Sequence, residues 1–488
     1  MSEGVLVVDV GTSSVRSSIV DPDGTVSHVH QVPVLPSTPE TGTVEVDASA
    51  IAGAVLSTAA AVIAEAGEVE CVGITNQRAT TVVWDAGTGV PVGPGIGWQD
   101  LRTVVQCLVL QGEGLRLAPN ASATKLQWIL QSVDPDLVAS GRLRFGTIDT
   151  WIAWTLSRGA LHVTDATNAA VTGLVTADAQ GWDDRTLDIL GIDASVLPAI
   201  VDSVGVVGEA SALRGAPRIA SIVGDQQASL AGQGCVAPGQ GKLTFGTGGM
   251  LDQVLGGQPP FSSLSPAGCF PIVARRRNGS ITWGLEAVML TAGSCIEWLR
   301  DDLGLISDPA ETDPLAASVP DTGGVSFVPA LLGLGTPDWD FGARGGFFGL
   351  TRGATRAHLV RAVLEGIAQR GCDLVESAER DGLPTLTELR VDGGMTENET
   401  FIQLLADCTG RCVEVSPVRE ATTRGAGLLA FVATGTISDD ADIAQTWQPS
   451  RTVEPRGTEG DRDAARAHWS QAKARTLRTI PGLSDVRF

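Results

Sequence analysis

The chain opens on a continuous β-branched run, Val5 to Val10, which stops at Gly11-Thr-Ser-Ser14 and resumes from Ser17 to Val20. Asp21-Pro-Asp-Gly24 is turn chemistry, and Val26 to Val34 alternates partly, so the N-terminus predicts a three-stranded meander. An alanine-rich segment then runs from about Asp47 to Ala66. Asp47 is placed to accept from the free N–H groups of a first helical turn. A buried strand over Val69 to Ile74 follows, then amphipathic helices near 122–133 and 148–157.

The pattern restarts in mid-chain. Lys242 to Gly249 reads as a strand running into a Thr/Gly turn, with strands at Leu251 to Leu255 and Ile281 to Trp283 and a helix over Ala287 to Leu303. A long helix is expected from Arg356 to Asp381, then a strand at Glu388 to Val391. The turn Asp392-Gly-Gly394 follows, and a helix to Thr409 with Asn398 one turn inside it. A polar tail begins at Ser438 and holds one more helix, Asp461 to Leu477. The shared plan of the halves points to duplication. Gly/Pro-rich Ala237 to Gly241 marks the boundary, giving segments 1–238, 239–440 and 441–488 and two α/β domains abutting across a cleft.

Composition narrows the chemistry. At 488 residues the chain is too long for one core. Its net charge of −22 sets it against nucleic-acid phosphates and anionic lipid, so neither is an expected partner. An anionic ligand has to be met locally, by backbone N–H groups, a few basic residues and a divalent cation. The N-terminus lacks a basic stretch followed by an apolar one, and the apolar run Ala50 to Ala64 is broken by Gly53, Ser57 and Thr58. A cytoplasmic protein is expected. Eight cysteines are too few for a disulfide scaffold, and Cys408 and Cys412 have no second ligand pair for zinc.

Several motifs fail. Leu243 after Gly241-Lys242 breaks a Walker loop, and Gly232 to Ala237 follows a helical pattern rather than the strand a dinucleotide fingerprint needs. Four others hold together. Asp9 ends a buried strand ahead of Gly11-Thr12-Ser13, whose N–H and hydroxyl groups can cradle phosphate while the carboxylate faces a Mg²⁺ shell. Phe245-Gly246-Thr247-Gly248-Gly249 repeats that turn without the acid. Asp225 follows the apolar strand Ile219 to Val223, and Asp392-Gly-Gly394 opens a flat, Cβ-poor surface. Two Thr/Gly hairpins across a cleft make a two-sided phosphate clamp.

With these residues the chain resembles the FGGY family of carbohydrate kinases, and within it is similar to the glycerol kinases. The blocks that match run nearly end to end. They are Val8–Ser14, Gly73–Arg78, Thr80–Asp85, Gly97–Thr103, Thr124–Leu130 and Gly224–Ala228 in the first half. In the second they are Phe245–Gly248, Phe327–Ala330, Gly333–Pro337, Ala343–Gly345, Phe348–Arg352 and Arg390–Gly394. The resemblance implies two ribonuclease-H-like domains of the actin/hexokinase superfamily with an interdomain catalytic cleft. It implies ATP and Mg²⁺ as cofactors and transfer of phosphate to a terminal hydroxyl of a small polyol, glycerol foremost.

Residue by residue, the resemblance makes Asp225 the catalytic base and Asp9 the acid near the metal. Thr12 and Ser13 belong to the first phosphate hairpin, Gly246 and Thr247 to the second. Gly293 touches nucleotide, and Gly394 and Asn398 form the adenine and ribose end. Arg78, Trp98, Asp225 and Gln226 form the polyol set. Two positions of that set depart from the glycerol kinase pattern, Ala79 where a glutamate is expected and Asn120 where a tyrosine is expected. A C4–C5 polyol or a ketopentose, such as erythritol or xylulose, therefore stays open as substrate. So does a non-catalytic actin-like ATP binder, and so does a homo-oligomer, dimer or tetramer. An ordinary carboxyl pKa near 4 at Asp225 makes proton transfer late, with orientation of the hydroxyl as its first task.

Overall fold

The opening run is β1 (Val5–Val10), buried except at Asp9. It pairs antiparallel with β2 (Ser14–Val20), which pairs with β3 (Val26–Pro33) around the Asp21–Gly24 turn. A computed structural model describes residues 4–380 and 383–486. Helix α1 (Ala48–Ala66) starts where Asp47 accepts from the Ala50 N–H at 2.9 Å. By length and composition it could cross a membrane, yet it lies against the meander with Val55, Ala59 and Val62 fully buried. Strand β4 (Cys71–Asn76) pairs parallel with β1, two residues later than the apolar pattern placed it.

Helices α2 (Ser122–Ser132), α3 (Ile148–Leu156) and the short α4 (Ala166–Ala170) follow, then β5 (Val204–Glu209), β6 (Arg218–Gly224) and α5 (Asp225–Gly232). β6 is parallel to β4, so the first half is ordered β6-β4-β1-β2-β3.

The second half repeats the three inner strands of that order and extends its hairpin with two further strands. β7 (Gln240–Phe245) and β8 (Gly249–Gly256) form the hairpin, and β9 (Phe270–Arg277) and β10 (Ser280–Met289) extend it. After α6 (Gly293–Asp301) and α7 (Arg356–Ala378) come β11 (Glu388–Asp392), α8 (Glu399–Thr409) and β12 (Val413–Val415). β11 is parallel to β7 and β12 to β11, giving β12-β11-β7-β8-β10. The two halves are therefore a duplicated ribonuclease-H-like plan. Val204 of β5 pairs with Arg277 of β9 and joins them into a single 13-stranded sheet.

The expected helix over Ala287 to Leu303 is corrected. Residues through Met289 are strand, with Ala287 opposite Leu251 and Met289 opposite Gly249, and α6 begins only at Gly293. Glu-Ala-Val-Met-Leu has good helix formers, but a place between two strands overrides local propensity. The expected helix from Arg356 stops at Ala378, and Asp381 lies outside the described residues. Asn398 is not inside a helix. It follows a 3₁₀ turn (Gly394–Glu397) and caps α8, its Oδ1 accepting from the Phe401 N–H at 2.7 Å.

Helix α9 (Ala421–Thr434) crosses back onto the first half. It packs on β1, β4, β6 and α5, and Ala426, Leu429 and Phe431 close a core with Val5, Val7, Val20, Val223 and Ala228. The crossing is tight enough that a Cβ at Gly232 or Gly425 would run into the backbone of the facing helix. The polar tail supplies its expected helix as α10 (Glu459–Ala474), and also an edge strand, β13 (Arg451–Val453), that the sequence pattern did not place. Arg466 and Lys473 of α10 both bond the buried Asp373 of α7, at 2.5 and 3.2 Å.

Candidate functional site

Strand register places the acids on one edge. Asp9 lies opposite Thr75, and Asn76 lies between Val10 and Gly224, so β1, β4 and β6 end together and deliver Asp9, Arg78 and Asp225 to one cleft. The first hairpin closes where the Gly11 N–H donates to the Ser14 carbonyl at 3.0 Å, with Ser13 exposed at its tip. Gln77 holds that hairpin, donating to the Gly11 carbonyl at 3.1 Å. The Thr12 hydroxyl accepts from Trp98 Nε1 at 3.4 Å, which joins the phosphate turn to the indole proposed as the polyol wall. Trp98 is 37% exposed, a large apolar surface facing solvent at the cleft.

Asp225 is the first residue of α5, and its Oδ1 accepts from the Gln226 N–H at 2.8 Å. Arg78 Nε lies 3.6 Å from that oxygen, and Arg78 Nη2 donates to Glu286 Oε2 at 2.6 Å. Nη1 is buried with no hydrogen-bond partner among the described residues. Gln226 Oε1 accepts from Lys242 Nζ at 2.9 Å, and Lys242 is paired with the buried Asp252 at 3.0 Å. Burial raises the Asp225 carboxyl above its usual range, against the opposing pull of Arg78, the Gln226 N–H and Lys242. This corrects the expectation of an ordinary pKa: Asp225 is the stronger base for its environment.

Asp9 is raised to about 6, chiefly by burial, with Arg16 and the Thr423 hydroxyl holding it down. Thr423 Oγ1 donates to Asp9 Oδ2 at 3.1 Å from the first turn of α9. Protonation of this carboxylate in the free enzyme would oppose capture of the metal–nucleotide complex, so kcat/KM for ATP should decline as pH falls through about 6. Thr423→Val removes a group that lowers this pKa. Its acid limb should therefore lie at higher pH than the wild type's in profiles of kcat/KM for ATP from pH 5 to 8, and coincident limbs would show that Asp9 does not set it.

The second hairpin exposes Gly246 and Thr247 at its tip, and α6 is stitched to it. Gly293 N–H donates to the Gly246 carbonyl and Ala292 N–H to the Thr247 carbonyl, both at 2.8 Å. Gly293 has to be glycine, because a Cβ would stand 2.6 Å from the Gly246 oxygen. Gly393, at φ +94°, presses on the Phe245 carbonyl from the other side, whereas a Cβ at Gly394 would meet nothing within 4 Å. That open surface suits a flat ring. Asn398 has both amide atoms engaged, its Nδ2 donating to Thr312 Oγ1 at 3.0 Å.

Ala79 is buried at φ +62° and its carbonyl accepts from Ser122 Oγ at 3.0 Å, while Asn120 is exposed. Lys125 ties that wall together. Its Nζ donates to the carbonyls of Gly97, Trp98 and Asn120 at 2.8, 3.1 and 3.2 Å, and burial lowers its pKa to about 7. Sequence reasoning missed Lys125, Lys242, Asp252, Glu286 and Thr423. A charged residue inside an apolar strand was the readable signal for Lys242, Asp252 and Glu286.

The donor set around Asp9 suits Mg²⁺ bound with nucleotide phosphate. That hard cation takes one or two carboxylates and fills its remaining positions with phosphate oxygen and water. No cluster of three or more acidic, histidine or cysteine ligands occurs among the described residues, so the phosphates would supply most of the shell.

The N-terminal domain of the FGGY family of carbohydrate kinases matches residues 4–232, and the C-terminal domain of that family matches 267–434. The chain belongs to this family. As an FGGY kinase it is 41% identical to the glycerol kinase of Trichlorobacter lovleyi, over 97% of this chain and 98% of that one. It is 40% identical to glycerol kinase 2 of Thermotoga maritima, over 97% and 98%. The solved structure of Plasmodium falciparum glycerol kinase with ADP superposes with a TM-score of 0.90 at 29% identity, covering 98% of each chain. The kinase also shares its fold with the xylulose kinase of Lactobacillus acidophilus, at TM-score 0.85 and 21% identity. Its activity is transfer of phosphate to an alcohol group.

Proposed function

We propose that the kinase moves the γ-phosphoryl group of ATP to a terminal hydroxyl of a small polyol, glycerol foremost, giving glycerol 3-phosphate. The observation that carries this reading is the Asp225 carboxylate 3.6 Å from Arg78 Nε, with Arg78 reaching on to Glu286 of the second half. The glycerol kinases it resembles along its whole length support the choice of glycerol.

Asp225 orients the attacking hydroxyl and accepts its proton as the O–P bond forms. Arg78 and Gln226 hold the remaining hydroxyls, with the Trp98 indole against the carbon chain. The turns at Thr12 and Ser13 and at Gly246 and Thr247 flank the phosphates, and Gly394 and Asn398 lie at the base and ribose end. Mg²⁺, held from the protein side by Asp9, would offset charge on the phosphates. Closure of the halves would exclude water, the competing acceptor. The division at 238/239, with α9 returning from the second segment to complete the first half's core, and a cytoplasmic setting belong to the same reading.

A second reading, a C4–C5 polyol or ketopentose, is favoured by Ala79 and Asn120, which put a methyl and a short amide where larger polar groups are expected. Each missing neutral contact gives up about 1–3 kcal/mol of discrimination. A coupled ADP-release assay over C3 to C5 polyols and ketoses separates the two. The highest kcat/KM should fall on glycerol. A maximum on a C4 or C5 compound would establish the second reading, and no turnover on any of them would set both aside.

A further inference from the structure

Behind the cleft lies a fully buried polar cluster that has no part in the roles assigned above. Asn76, Asp165, Thr167 and Asn168 are each 0% exposed, and all four are hydrogen-bonded. Asp165 receives the Thr167 hydroxyl at 2.9 Å, the Thr167 and Asn168 N–H groups at 2.9 and 3.0 Å, and Ser203 Oγ at 2.5 Å. The Thr167 hydroxyl donates to Asp165 Oδ1 and accepts from the backbone on its other side, which fixes its direction. Its hydrogen points at Asp165, which leaves a lone pair for the Gly224 N–H, 2.8 Å away.

Gly224 carries Asp225 and borders Arg78. It is the N-cap of α5, directly before Asp225. A Cβ there would stand 2.9 Å from Arg78 Cγ and Cδ, so its backbone rests on the stem of Arg78. The facing strand end is held by the same helix. Asn76, opposite Gly224 in the parallel register, exchanges side-chain hydrogen bonds with Asn168, each Nδ2 donating to the other's Oδ1, at 2.9 and 3.1 Å. One five-residue helix, α4, thus locks the ends of β4 and β6 against each other.

We propose that Thr167, aligned by Asp165, is a positioning residue that sets the placement of the Asp225 carboxylate against Arg78 and the attacking hydroxyl. The inference rests on Asp225 as the base. Removing the acceptor frees the Gly224 N–H and lets the strand end drift, and displacements of an ångström or less at a reacting group are enough to cost large factors in rate.

The test is Thr167→Val, which is isosteric, with Thr167→Ala in its place if valine gives no soluble protein, and Thr167→Ser as rescue. We expect kcat to fall about tenfold with KM for ATP within twofold, and serine to restore most of the rate. Asp225→Asn provides the discriminating background. Adding Thr167→Val to it should leave the residual rate unchanged, because the group being positioned is already gone. A further tenfold loss there would mean a general structural role and would overturn the proposal, as would wild-type kcat in Thr167→Val and Thr167→Ala. If Asp225→Asn itself turns over at the wild-type rate, the base assignment falls and takes this inference with it. A crippled Asp225→Asn beside an unaffected Thr167→Val removes the positioning role alone.

Discussion

Asp225→Asn should yield a folded enzyme whose turnover is lower by about 10²–10⁴, the range for removing a positioned base. Folding is expected to survive for reasons visible around the residue. The asparagine oxygen can still accept the Gln226 N–H, and Arg78 keeps its 2.6 Å bond to Glu286. Stability at neutral pH should be equal or higher. Burial raises the Asp225 carboxyl, and a group whose folded pKa lies above its unfolded one destabilises the fold as pH rises through that window. Lower activity with an unchanged or raised Tm is the signature, measured by coupled ADP release and thermal melts at pH 7. Wild-type kcat would remove Asp225 from the mechanism.

The second large effect is expected at the turn behind the other hairpin. Gly393 sits at φ +94°, and any Cβ would drive into the Phe245 carbonyl. Backbone strain of about 1–3 kcal/mol and overpacking of similar size should combine in Gly393→Ala to lower Tm by several degrees. They should also raise KM for ATP about tenfold, because the Phe245 backbone leads into Gly246 and Thr247. Gly394→Ala is the contrast. Its Cβ meets nothing within 4 Å, so stability should stay at wild-type level while a methyl intrudes where the adenine is placed. If KM for ATP is also unchanged in Gly394→Ala, the adenine lies elsewhere.

The N-terminal meander, both Thr/Gly hairpins and the long helix from Arg356 were legible because continuous apolar runs end there in Gly, Thr or Asp turns. The stretch from Ala287 to Met289 was not, since its helix-forming composition is overruled by strands on both sides. Asp225 could be placed from its strand-to-helix motif, but its raised pKa could not, because burial is a property of the assembled cleft. Glu286 shows the same limit: its partner Arg78 is 208 positions away, and nothing local announces that pairing. Asn398 was placed one turn inside a helix and instead caps one, the usual uncertainty at a helix end.

Helix α9 has a consequence for synthesis. Val5, Val7, Val20 and Val223 are covered by residues 426 to 432, which leave the ribosome roughly 200 residues after α5. At about 5–20 residues per second, the first half waits some tens of seconds with one face of its sheet bare. Its own helices on the other face can settle meanwhile, but its fold closes only when the chain is nearly finished. A nascent chain arrested before Ala421 should therefore be protease-sensitive and held by chaperones, and a truncated first half should behave as a sticky intermediate rather than as a domain.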